Sequence, residues 1–206
     1  YRAMNAFEAL LSKTSKTIKQ AILDAGELAA LQAKLAMFAN MASNGTITFE
    51  EGFADASAVV NGLADASIKS ISSMKELSVA MDEVAQQGVI IPAKMTESFA
   101  YFVDYTLLVA RTTGDSAKQL RSEITGLMDG QMRASNVLLR TMKNMGILST
   151  KEIKDLRNMT NRAEIFNKVV EAIASNQKKV NRLMIEQDPT TGYAVWEKSI
   201  RRVLTV

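Results

Sequence analysis

The sequence has no cysteine and no histidine, and only two prolines and one tryptophan among 206 residues. Without cysteine there are no disulfides, no thiolate nucleophile and no sulfur-ligated metal. Without histidine, the usual general base near neutral pH and the commonest metal ligand are both missing. These absences predict a chain that is not an enzyme, has no catalytic, cofactor-binding or metal site, and takes no small-molecule substrate. Charge of one sign is also scarce in excess: 25 basic against 22 acidic residues leave a net +3, too small a field to imply strong nucleic-acid affinity. The longest apolar run, Phe99 to Ala110, carries Asp104 and is about twelve residues, short of the roughly twenty that cross a bilayer. It is expected to be a buried central helix. No basic, then apolar, then small-residue signal precedes the first helix, so nothing points to secretion. The opening Tyr1-Arg2-Ala3-Met4 and the closing Leu204-Thr205-Val206 suggest a fragment of a longer protein.

What is present is helical. Good helix formers abound, and the β-branched and aromatic residues are too scattered to alternate as strands. The expected fold is all-α, a bundle of about seven to nine helices with long N-terminal ones. Twelve methionines against seven phenylalanines suggest a core filled largely by flexible side chains. Residues 1–87 form an expected long-helix region and 88–206 an expected bundle region, or the two make one continuous domain.

In the first forty residues Phe7, Leu11, Thr14, Ile18, Ala21, Ala25, Leu28, Gln32 and Leu35 recur at spacings of four and three, one apolar-biased face with Gly26 as a joint. Asn44-Gly45 is a turn. Thr48 then supplies a capping hydroxyl, and Glu50 and Glu51 the acids that suit a helix N-terminus. The second stretch is expected to run from about Phe49 to Gln87, with Gly62 as a break. Gly88-Val89-Ile90-Ile91-Pro92 interrupts it as a tucked connection. Met95, Phe99, Phe102, Thr106 and Val109 mark the face of the central helix, which Thr112-Thr113-Gly114-Asp115 ends. Ser116 to Gln119 and Ser149 to Glu152 have capping-box spacing. Leu120, Ile124 and Leu127-Met128 continue the first of these helices to a stop at Asp129-Gly130. A short helix from about Arg133 to Lys143 ends at Met145-Gly146-Ile147. Thr160 is expected to cap a helix carrying Ile165, Val169, Ile173 and Val180. Asp188-Pro189-Thr190-Thr191-Gly192 turns into a final helix bearing Trp196.

Few motifs suggest chemistry. Asn40 to Glu51 resembles a calcium loop, with Gly45 at the sharp turn and Glu51 as the bidentate acid. Its third ligand position falls on Ala42 and its first lacks a carboxylate, so a plain helix cap is expected instead. Gly126 and Gly130 follow no strand and are expected to be a packing site and a stop rather than a phosphate cradle. Glu50, Glu51, Asp55 and Asp65 are expected on a solvated face. Arg201-Arg202 beside Trp196, with Lys178-Lys179 and Arg182, could touch nucleic acid or anionic lipid. However, Trp196, Ile200 and Val203-Leu204 share one helical face, which more simply makes Trp196 a core or interface anchor.

One segment carries a resemblance. Thr113-Gly114-Asp115-Ser116-Ala117-Lys118-Gln119-Leu120-Arg121 is followed by Gly130, Leu138-Leu139-Arg140 and Met145-Gly146-Ile147. This order resembles bacteriophage tail tape-measure proteins, in which such a helix precedes a leucine-rich helix and a short glycine turn. Ile165 to Ala174 and Tyr193 to Leu204 agree more loosely, and upstream of Gly88 only helical character agrees. The resemblance implies a structural protein inside the tail tube, present in the host cytoplasm during assembly, that sets tail length and takes part in DNA ejection. It implies as partners other copies of itself, the tail tube protein and a tail assembly chaperone, with transient contact to phage DNA or the host membrane. The alternative is a bacterial helical interaction or effector domain that contacts a partner protein or a membrane surface.

Overall fold

The computed structural model describes residues 26–86, 88–128 and 136–187. The expectations for the first 25 residues, Gly130, the turn at 188–192, Trp196, Arg201 and Arg202 lie outside them. Among the described residues the fold is all-α with no strand. The helices are α1 (26–42), α2 (Phe49–Lys69), α3 (Met74–Ala85), α4 (Thr96–Thr113), α5 (Ala117–Met128), α6 (Val137–Asn144), α7 (Thr150–Arg157), α8 (Arg162–Ser175) and α9 (Gln177–Gln187). A 3-10 turn, Ala93–Met95, leads into α4.

Local chemistry sets many of these boundaries. Thr48, Ser73 and Ser149 each accept from the backbone N–H three residues on, and Glu51, Glu76 and Glu152 reach back to the capping residue, giving three full capping boxes. Glycine is required at Gly88 and Gly114, which adopt φ of 80° and 78° and end α3 and α4 in the left-handed region. The 88–92 connection is tucked as expected, with Val89 and Ile91 buried.

Helix α4 is central and packs on α2, α8, α5, α9, α3 and α6. Phe99, Phe102, Tyr105 and Val109 are fully buried. Side chains of this size each contribute about 1.5–3 kcal/mol when removed from water. The Phe102 ring lies 6.0 Å from Phe99 and meets Phe166 of α8 edge-on at 5.9 Å, so aromatic contacts link the two helices. Met81, Met142 and Met184 are fully buried, but the largest fully buried side chains are Tyr105, Phe99, Phe102 and Phe166. The centre is therefore aromatic as well as methionine-bearing.

Three expectations are corrected. The stretch from Phe49 to Gln87 is two helices, and the break falls at Ser70–Ser73 rather than at Gly62. Gly62 lies inside α2 because Thr96 packs against it; a Cβ there would meet the Thr96 hydroxyl at 2.5 Å. Asn161, not Thr160, caps α8, its side chain accepting from the Glu164 N–H. The helix expected to run from Ile165 through Val180 breaks at Asn176, which places Val180 on α9.

Candidate functional surface

Tape-measure-like residues fall in and after α4, and most have a structural task. Gly114 ends α4, and the Asp115 N–H donates to the Thr113 hydroxyl at 3.3 Å. Ser116 accepts from the Gln119 N–H at 3.0 Å at the start of α5. Leu120 and Leu138 are fully buried and Leu139 nearly so. Arg121 is buried and ion-paired to Glu83 of α3, with its two nitrogens 2.7 and 2.6 Å from one carboxylate oxygen. Gly146 has φ of 64° after α6, where the Ile147 N–H returns to the Met142 carbonyl at 2.8 Å. Glu123 of α5 accepts from the Leu138 N–H at 2.9 Å, placing an anion at the positive end of α6. The described residues of the segment thus pack together. Gly126, expected as a packing site, instead has open space where a Cβ would stand.

The expected chemical candidates do not converge. Glu50, Glu51, Asp55 and Asp65 are all exposed along α2. Glu51 is held by the Thr48 N–H and hydroxyl, both at 2.9 Å, which keep its carboxyl below the usual range. Asn40 donates to the Ile47 carbonyl at 2.7 Å, so both ends of the calcium-like loop are spent on backbone. Among the described residues no cluster of acids could hold a metal ion. Lys179, part of the expected basic cluster, donates to the Met145 carbonyl and neutralises the C-terminal end of α6. Arg182 lies 3.5 Å from Glu186.

A polar centre that sequence reasoning did not anticipate sits at Asp104, which is fully buried. Its Oδ1 accepts from the Ser72 N–H at 2.9 Å and the Ser72 hydroxyl at 2.6 Å. Its Oδ2 accepts from the Ile71 N–H at 3.1 Å and the Gln177 amide at 3.0 Å. One carboxylate therefore ties the α2–α3 break and the start of α9 to α4. Nearby on α4, Tyr101 donates to Glu97 at 2.8 Å, and burial with that acceptor pushes its hydroxyl up to about 12. Tyr105 donates to the Leu138 carbonyl at 3.2 Å, and burial raises its hydroxyl further. These groups hold helices together, and none of them lines the grooves found among the described residues.

Two open grooves do face solvent. An apolar cleft of about 260 Å³ runs between α1, α2 and the 88–93 connection, with Leu35, Ile47, Val59 and Ile91 in its walls and Asp55 beside it. A groove of about 470 Å³ between α6 and α7 is lined by Arg140, Lys143, Lys154 and Arg157, with Leu139 and Ile153. Charge counted by region would have pointed to it. Residues 26–86 hold eight acidic and three basic side chains, whereas residues 136–187 hold ten basic and five acidic. The near-balanced total conceals this separation. No protein-family model, curated protein or solved structure matches the chain.

Proposed function

We propose that this chain is a segment of the tail tape-measure protein of a long-tailed bacteriophage, a non-enzymatic structural component that sets tail length and takes part in tail assembly and DNA ejection. The observation that carries the reading is the ordered pattern Thr113 to Arg121, Gly130, Leu138-Leu139-Arg140 and Gly146. Its support is physical as well: the described motif residues build helix ends, core and the Arg121–Glu83 pair of one helical unit. A ruler component needs helical surfaces that pair with copies of itself, the tube protein or an assembly chaperone, and it needs no reactive group. Contacts with phage DNA and the host membrane are transient in this reading, and its place is the tail tube interior after assembly in the host cytoplasm. In this reading the packed bundle with its central α4 is a folded module of the ruler rather than its extended part.

The alternative, a bacterial interaction or effector domain touching a membrane, relied on the apolar α4. That helix is enclosed by α2, α5, α8 and α9, so contact through it requires the core to open. Liposome co-sedimentation of the isolated chain distinguishes the two. Binding without other phage components favours the effector.

The direct test is tail length by electron microscopy after in-frame deletion of the segment from its parent gene. Fully extended as helix, the chain spans roughly 310 Å at about 1.5 Å per residue. Shortening on that scale makes it part of the ruler itself. Tails of normal length with lost infectivity make it an assembly or ejection module, and normal length with normal infectivity refutes the proposal.

A further inference from the structure

The groove between α6 and α7 has a definite chemical character. Arg140 and Lys143 are one turn apart on α6, Lys154 and Arg157 one turn apart on α7, and all four are exposed. Between them the floor is apolar, formed by the largely buried Leu139 and Ile153. A cationic rim over an apolar floor fits apolar side chains flanked by acids.

The first two turns of α2 carry that complement. Phe49 and Phe53 are 50% and 39% exposed, and their rings lie 5.9 Å apart on one face of the helix. Glu50 and Asp55 stand exposed beside them. The remaining charges reinforce the match, since the acidic excess lies in residues 26–86 and the basic excess in 136–187. Among the described residues the ridge stays exposed and the groove open, so neither satisfies the other within one copy.

We infer that copies of this chain dock head to tail, with the Phe49–Asp55 ridge of one seated in the α6–α7 groove of the next. A patch that fits a different patch is heterologous, so the contact repeats into a ring or an open filament. The groove is small, which places each contact among weak interfaces that gain from repetition. A nucleic-acid backbone fits the site less well. The large exposed aromatics of the described residues are Phe49 and Phe53, on the acidic side, so none stands beside the groove to stack on a base.

Two charge-reversed forms of the full 206-residue chain test this. One carries Arg140→Glu and Lys154→Glu, which spoils the groove; the other carries Glu50→Lys and Asp55→Lys, which spoils the ridge. All four positions are exposed, and an unchanged thermal melt confirms that each form folds. By sedimentation equilibrium at low salt, the unaltered chain is expected to gain mass with concentration and to return to monomer at high ionic strength. Each variant alone is expected to associate at least about a hundredfold more weakly, because like charges then face each other. An equimolar mixture is expected to recover association, since the intact ridge of one form meets the intact groove of the other and the two reversed patches are themselves opposite in charge. The inference fails if the unaltered chain stays monomeric, if either variant associates as it does, or if the mixture associates no better than the variants alone. It also fails if the groove binds a DNA duplex while the protein stays monomeric. Mass of the purified chain reads head-to-tail docking and tail length reads the tape-measure assignment, so either can fail alone.

Discussion

Replacing Asp104 by asparagine removes a charge and one acceptor while keeping the side chain's size. If the carbonyl of the substituted side chain stays on Ser72, its amide nitrogen faces the Ile71 N–H and the Gln177 amide, donors against donors. Gln177 has a remedy: its Oε1 is buried without a hydrogen-bond partner and can accept once the amide turns over, provided that Asn181 turns with it. The Ile71 N–H belongs to the backbone and cannot turn over in this way. Losing one hydrogen bond to a charged acceptor costs about 1.5–3 kcal/mol, so Asp104→Asn is expected to cost about 2 kcal/mol. Asp104→Ala leaves the Ser72, Ile71 and Gln177 donors together without this acceptor, at about 1–3 kcal/mol for each that finds no other. With the Ser72 hydroxyl and Gln177 free to reorient, about 4 kcal/mol is expected. A chain of this size loses about 2–4 °C of Tm per kcal/mol, so shifts of roughly 6 °C and 12 °C follow. Urea unfolding monitored by circular dichroism measures both, with an unchanged slope showing that the folded state is intact. An Asn variant within about 0.5 kcal/mol of the parent, or an Ala variant no worse than Asn, would refute a carboxylate that ties three elements together.

Glu83→Gln leaves the Arg121 charge buried without its anion and should cost about 3 kcal/mol by the same unfolding assay, whereas Glu83→Leu with Arg121→Met should come out near neutral. Gly62→Ala should destabilise by about 1–3 kcal/mol, because the new methyl meets Thr96, while Gly126→Ala should stabilise by about 0.5–1 kcal/mol in open space; matching signs in thermal melts would overturn this contrast. The carboxyls of Glu51, Glu97 and Glu152 are held below their ordinary value by Thr48, Lys69 and Ser149 respectively. The stability they contribute is therefore complete above the ordinary carboxylate range and lost as pH falls through their lowered values, which carboxyl NMR shifts would follow. Tyr101 is raised by burial and by its Glu97 contact, so its contribution is complete below the unfolded phenol value and lost as pH climbs toward about 12; a normal phenol titration by absorbance would contradict that burial and contact.

Helix identity and most helix ends were legible because they depend on residues within a turn of one another. The Thr48 and Ser149 caps, the Gly88 and Gly114 stops and the central place of the Phe99 to Ala110 run all follow from spacing and side-chain chemistry. The Ser73 to Glu76 box has the same spacing, and it marks the break that Gly62 does not. In the tape-measure-like segment the sequence by itself marked Gly114, Ser116, Leu120, Leu138 and Gly146, and the fold uses them as helix ends and core. Tertiary structure alone decided what joins distant parts. Ser70–Ser73 leaves the helix where Asp104, more than thirty residues away, accepts two of its backbone N–H groups. Gln177 begins α9 where it reaches the same carboxylate across 73 positions, and Arg121 finds Glu83 across 38. The basic groove likewise exists only where the fold brings residues of α6 and α7 to one surface. Local backbone bonding is specified within four residues, but the partner of a buried charge is chosen by the packing that buries it.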